Sequence, residues 1–313
     1  MRALPIFETV SRTFGFVIER RFFSLLRLIW LPMLLSLAVG LLPMWYQFEV
    51  VGFPPKPEAM QALENDAIFN TLQILNSVAS FILGAMVAIS VHRMILLDDR
   101  QPGVFFYWRL TREEWLYVLA WIVYFLVVML AFALPIAAHF YYVASHETLK
   151  EGAALLASAT DADAAKNAER LKRLFADPRL AIAGVMSVVF ALIALARFGL
   201  VFPLIVAEGR LSFWRSWVLT RGSTLQLIGF WIVVTILTYV LVLLLIAVLA
   251  AAVVGMAAAI SAGGQAGGAL GIVLMAVPAA VSFLMYFVIG ITVFIAAMSF
   301  SYRALAAPEV DEG

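Results

Sequence analysis

Apolar residues run along this chain in long unbroken blocks, unlike the alternation of a half-buried strand or the one-sided stripe of a surface helix. Six blocks lie near residues 24–46, 68–91, 115–141, 180–207, 224–254 and 269–300. Each reaches the roughly 20 residues that a helix needs to cross a hydrocarbon core about 30 Å thick. Open strands would leave backbone groups unpaired in lipid, so the pattern predicts an all-α fold, a polytopic membrane helical bundle of about six transmembrane helices. No charged residue occurs from Gly222 to Tyr302. Gly263, Gly264, Gln265, Gly267 and Gly268 break that stretch, which predicts two helices joined by a tight turn, with a re-entrant element as the alternative.

The polar intervals organise the rest. In residues 1–27, Ile6, Val10, Phe14 and Val17 recur at helical spacing. They predict an amphipathic segment lying along the anionic leaflet, or equally the start of a long first helix. The run after Arg27 carries no small-x-small cleavage site, so it is expected to stay as a span. A six-helix membrane domain is assigned to 28–303 and a short tail to 304–313. Pro54, Pro55 and Pro57 make the interval 47–67 an irregular loop before Glu58 opens a helical lead into the second span. Within 142–179, Asp161 is placed to cap a helix that runs through Phe175 and stops at Pro178. That loop reads as a solvated hairpin on the membrane surface or as a lid that binds a partner.

Charge sets an orientation. With the amino terminus inside, the inner intervals hold thirteen basic residues and the outer ones seven, which places both termini in the cytoplasm. Apolar residues make up 64% of the chain and charged ones 13%, against roughly 45–50% and about 25% in soluble domains, so an aqueous surface cannot be covered. The net charge of +1, with its basic residues scattered, argues against a nucleic-acid partner. Without cysteine the chain forms neither disulfides nor thiolate metal sites. No cofactor or metal is expected.

An internal similarity lies in the polar links. Trp108, Leu110, Thr111 and Arg112 match Trp217, Leu219, Thr220 and Arg221 at a constant offset, which indicates a partial, parallel internal repeat. The threonines are placed to cap helix starts, the tryptophans to sit at headgroup depth, and Gly222 to allow close helix approach. Around the second copy, Phe202-Pro203, Glu208-Gly209-Arg210 and Ser216-Trp217 through Thr220-Arg221-Gly222 form a distinctive run. It resembles poorly characterised bacterial membrane families, among them the membrane domain attached to some glycerophosphodiester phosphodiesterases. The resemblance covers about forty residues. It implies a helix ending in Pro and Glu-Gly, a short amphipathic cytoplasmic helix, and a Thr-Arg-Gly lead into the next span in a bacterial inner membrane protein. Unlike in the enzyme-linked form, no appended soluble catalytic domain is expected, so the resemblance speaks for the helical membrane fold and says almost nothing about activity.

Charged and polar groups inside apolar blocks mark the candidate sites. Arg197 lies deep in the fourth block, where an arginine costs at least about 2.5–3.5 kcal/mol, and is expected to face the bundle or an aqueous cavity. Asn76 in the second span and Gln226 in the fifth offer further intramembrane polar contacts. Arg93, Trp108, Arg112, Glu208, Trp217 and Arg221 are placed to meet lipid headgroups or a protein partner at the cytoplasmic face. Asp98 and Asp99 could together bind a cation, but their charges are expected to be answered by Arg93 and Arg100. His92, His139 and His146 lack metal-ligand spacing, and no GxSxG, Walker or dinucleotide motif occurs, so catalysis is not expected. Two functions follow: a membrane scaffold or accessory protein contacting lipids or partners, and a small-molecule or lipid transporter with a polar site in the bundle.

Overall fold

The computed structural model describes residues 3–51, 62–63, 65–98, 111–144 and 178–306, with backbone alone at 20, 142–144, 252–253, 256–284 and 286–287. The regular structure among them is helical. Helix α1 spans Ile6–Phe14, a π-helical stretch covers Gly15–Arg20, and α2 follows at Phe22–Val51, α3 at Ala67–Leu96 and α4 at Arg112–Ala144. Then come α5 at Pro178–Phe198, α6 at Val201–Glu208, α7 at Phe213–Leu219 and α8 at Thr224–Ala306. Among the described residues six stretches are long and apolar enough to cross a membrane: Phe22–Val51, Ala67–Leu96, Arg112–Tyr141, Pro178–Glu208, Thr224–Ala251 and Val288–Ala306. The first five coincide with the first five apolar blocks, and the sixth overlaps the end of the block at 269–300. Their outward side chains, such as Leu134, Leu225 and Leu243, are exposed apolar groups that meet lipid. The prolines and Glu58 of the first loop, Asp99 with Arg100 and Trp108, and the 145–177 stretch with Asp161 and His146 lie outside the described residues.

The chain forms two compact units, residues 1–120 with 200–313, and residues 121–199. In the first, α2 and α3 meet along a seam of small and polar residues. Ser36 and Ser80 share a hydrogen bond of 3.2 Å, Ser80 Oγ donates to Asn76 Oδ1 at 3.4 Å, and a Cβ on Gly40 would stand 3.5 Å from that same oxygen. Small residues let the backbones approach where lipid would fill space equally well. At the far end of the seam Asp66 caps α3 by accepting from Phe69 N at 2.8 Å, and Tyr46 of α2 donates to the same carboxylate at 3.2 Å.

Helix α1 is docked rather than free. Leu4 N donates to Gln226 Oε1 at 2.7 Å, and the Ile6 side chain lies against Gly229. Val10 and Val17 are buried and Ile6 and Phe14 are half-buried, so the stripe expected to lie along the leaflet packs against the protein instead. Thr9 and Thr13 complete the inner face; their hydroxyls donate back to Pro5 O and Thr9 O at 2.8 Å, so burial leaves neither unsatisfied. Phe7 on the other face is 82% exposed, an apolar ring turned to lipid. At Gly15–Arg20 the bonding widens to Arg21 N→Phe16 O, and the chain turns there into α2, six residues before the expected end of the amino-terminal segment.

Helix α8 departs from expectation in one respect. Its backbone is helical from Thr224 to Ala306, through the glycines at which a non-helical turn was expected. Yet Trp231 and Phe294 stack with centroids 6.2 Å apart. In a straight helix those residues would stand about 95 Å apart at 1.5 Å per residue. The run therefore doubles back, and the midpoint of the pair falls between Ala262 and Gly263. Two spans side by side result, as the sequence indicated, with the reversal carried inside a helical run. Leu227, Phe230, Val234 and Thr238 bury one stripe of the first arm; Val288, Thr292, Ala296 and Ser299 bury one of the second.

A second departure lies in the fourth span, which is interrupted at Gly199–Leu200 between α5 and α6. Proline 203 supplies the cause: it cannot donate to the carbonyl four residues back, at Gly199, and its ring crowds that position. Gly209 closes α6 in the left-handed region at φ 66°, which spares a side chain the cost of that conformation. Ser212 caps α7 by accepting from Arg215 N at 3.2 Å. Gly222, at φ 92°, turns the chain into α8 in a conformation that a side chain would strain.

Candidate functional site

Polar side chains gather in the first unit, where the last turns of α3, the start of α4, the α7 link and both arms of α8 lie. Ser216, Thr220 and Ser223 are 2% exposed or less. Thr220 Oγ1 donates to Ser216 O at 2.9 Å and lies 3.2 Å from Trp217 O, and Thr224 Oγ1 donates to Thr220 O at 3.3 Å. Thr220 thus closes the end of α7; the expectation that it caps the start of α8 is corrected. At the start of α4 the amide is taken by Glu114 rather than by the Thr111 hydroxyl: Glu114 Oε2 accepts from Thr111 N at 2.6 Å and from the Thr111 hydroxyl, one half of a capping box. Glu114 is 1% exposed, a carboxylate held at the head of α4 where the helix dipole favours it.

His92 is fully buried and joins three elements. Its Nδ1 lies 2.6 Å from Ser299 Oγ of α8 and its Nε2 lies 3.2 Å from Tyr117 OH of α4. Either neutral tautomer is satisfied, since each hydroxyl can donate or accept. Ser299 Oγ also lies 3.2 Å from Ile295 O, and the Tyr117 ring packs on Phe202 at 4.9 Å. The Trp231–Phe294 stack fixes the register of the two arms of α8. Seven residues before one ring is Thr224, and seven after the other is Ser301. Ser301 is fully buried, and its hydroxyl has no hydrogen-bond partner among the described residues. Hydroxyls, an imidazole and a carboxylate are thus buried within the first unit, most of them bonded to one another or to backbone carbonyls.

The charged rim surrounds this interior. Arg93 Nη1 pairs with Glu113 Oε2 at 2.9 Å, a partner the sequence had not assigned to it. Arg303 Nη2 reaches Leu96 O at 3.4 Å and closes the end of α3. Glu208 pairs with Arg210 at 2.8 Å and lies 3.5 Å from Arg215. Arg112, Trp217 and Arg221 are exposed.

In the second unit, Arg197 stands in the last turn of α5, half-buried, with its Nε enclosed from solvent. Near it Tyr124 OH donates to Leu195 O at 3.5 Å, the oxygen that also accepts from Gly199 N at 3.0 Å. Arg197, Asn76 and Gln226 were expected to contribute to one intramembrane site. No described hydrogen bond links Asn76 to Gln226: the first serves the α2–α3 seam and the second holds Leu4. The sequence reading missed Tyr117, Ser299 and Ser301; Thr111-x-x-Glu114 carried a readable capping signal, whereas the partners of His92 lie 25 and 207 residues away. No group of three or more metal-ligating side chains occurs among the described residues.

Scanned against protein-family models, curated proteins and solved structures, the chain returned no match.

Proposed function

We propose that this protein is a transporter of a small polar molecule or a lipid, working through the polar interior of the first unit. One observation carries the reading: Ser301 is fully buried in the membrane-spanning part of α8, and its hydroxyl has no hydrogen-bond partner among the described residues. A scaffold, the other function expected from sequence, calls for a core filled by apolar packing; hydroxyl groups concentrated where two arms of one helix meet support passage better. The interrupted fourth span supports it too, because broken helices in lipid accompany polar sites in transporters. On this reading the membrane is a bacterial inner membrane with both termini inside, in keeping with the basic bias and the family resemblance.

Thiol accessibility tests the reading, since the native chain has no cysteine background. Ser301→Cys and Ser299→Cys are expected to react with a small hydrophilic thiol reagent in native membranes, while Ala88→Cys, buried at 4% exposure in α3, stays unreactive. Protection of the two reactive positions by compounds that co-purify with the protein identifies the cargo class. Equal inertness at all three positions overturns the transport reading and restores the scaffold.

A further inference from the structure

Helix α7 has an outer face that the polar interior does not use. Trp214 is 77% exposed, and Trp217, Val218 and Arg221 follow it on the same side, whereas Ser216 and Thr220 turn inward and are buried. Beside this face one carboxylate gathers two guanidinium groups. Glu208 Oε2 accepts from Arg210 Nη2 at 2.8 Å and Nε at 3.0 Å, and its Oε1 lies 3.5 Å from Arg215 Nε. The Glu208 side chain is 21% exposed, but those of Arg210 and Arg215 are 66% and 51% exposed. Each arginine therefore turns its Nε side toward the carboxylate, leaving its far donors for another acceptor. Charge does not balance here: two arginines, Arg210 and Arg215, meet one glutamate, and the exposed Arg221 ends the same link.

Position along the chain fixes depth. Glu208 ends the fourth span and Thr224 opens the fifth, so α7 lies at the headgroup level of one leaflet, where tryptophan is favoured. Guanidinium forks match phosphate oxygens in a planar, bidentate way that lysine cannot reproduce. We infer that α7 and its flanking arginines bind an anionic phospholipid headgroup. The phosphate seats on the outward donors of Arg210 and Arg215, Arg221 adds a second cationic contact, and Trp214 with Trp217 lies against the glycerol and upper acyl region. Glu208 is a positioning residue, holding together two like charges that would otherwise separate. A free phosphate ion would leave the tryptophans unused, so the ligand is a membrane lipid. The site is independent of transport, because the bound lipid need not move.

The full chain in phosphatidylcholine nanodiscs is titrated with dioleoyl phosphatidylglycerol, and bound lipid is counted by native mass spectrometry. Wild type is expected to prefer phosphatidylglycerol. An arginine near an anionic surface contributes about fivefold in affinity, so Arg210→Gln with Arg215→Gln weakens phosphatidylglycerol binding on the order of 25-fold and leaves phosphatidylcholine unchanged. Arg215→Lys falls between. Removing a negative charge would by Coulomb attraction alone strengthen anion binding, yet Glu208→Ala is expected to weaken it about fivefold, with rescue by Glu208→Asp. Arg12→Gln, exposed on α1 and paired with Glu8, is the control and leaves binding unchanged. Affinity within twofold of wild type in the double variant, an equal loss in the Arg12 control, or displacement of the lipid by millimolar inorganic phosphate would overturn the site. Should the double variant elute as aggregate, Arg215→Lys decides alone: unaltered phosphatidylglycerol affinity overturns it.

Discussion

Replacing His92 by Phe keeps a planar ring in the space it fills and removes both ring nitrogens. The side chain is fully buried, with contacts at 2.6 Å to Ser299 and 3.2 Å to Tyr117. Interhelical hydrogen bonds in membrane proteins average about 0.6 kcal/mol and reach about 1.7. Two bonds, one of them short, therefore put the loss at about 1–3 kcal/mol. Ser299 still has Ile295 O within reach, which softens the loss on that side. Denaturation from mixed micelles, monitored by tryptophan fluorescence, measures the difference. A double-mutant cycle with Tyr117→Phe isolates the pair, with an expected coupling of about 0.5–1.5 kcal/mol. A His92→Phe protein as stable as wild type, with zero coupling to Tyr117, would refute the view that this histidine ties α3, α4 and α8 together.

Gly199→Ala puts a Cβ 2.8 Å from Leu195 O, a backbone atom that cannot swing aside, and should cost about 1–3 kcal/mol by the same denaturation assay; a neutral substitution would show that the break between α5 and α6 tolerates a side chain. Gln226→Leu removes the acceptor for Leu4 N and should speed amide exchange across α1 by roughly two- to tenfold, about 0.5–1.5 kcal/mol of local opening. Unchanged exchange would mean that α1 is held by its buried threonine and valine face alone.

Span number and placement were legible because lipid imposes one simple requirement, an apolar run of sufficient length. The first block began at residue 24 in the sequence reading and at Phe22 in the fold; the fourth ran from 180 to 207 and is found at Pro178–Glu208. What composition could not show was the break inside that fourth span. The signal was present in Pro203 standing four residues after Gly199, but Pro32, Pro43 and Pro135 lie inside helices that continue, so proline alone does not decide. The Glu-Gly end of α6 and the short α7 were readable from local chemistry, Gly209 supplying the left-handed turn and Ser212 the cap. The interior was not. Ser299 and Ser301 look like two more small residues in an apolar run, and only the pairing of distant helices brings one to His92 and buries the other. Gln226 was correctly singled out as polar, but its partner is a backbone amide near the start of the chain, which no side-chain pattern records.

The polar interior exists only if the helical run Thr224–Ala306 folds back on itself, which makes that reversal the point to measure. Spin labels at Leu225→Cys, 84% exposed, and Ala304→Cys report it by pulsed electron paramagnetic resonance on the otherwise cysteine-free chain in nanodiscs. Neighbouring helices pack with axes 8–10 Å apart, so the account predicts a label separation of about 20 Å once the tethers are included. A straight helix would hold the same positions about 120 Å apart, beyond detection, and a distribution with no component below about 40 Å would contradict the account.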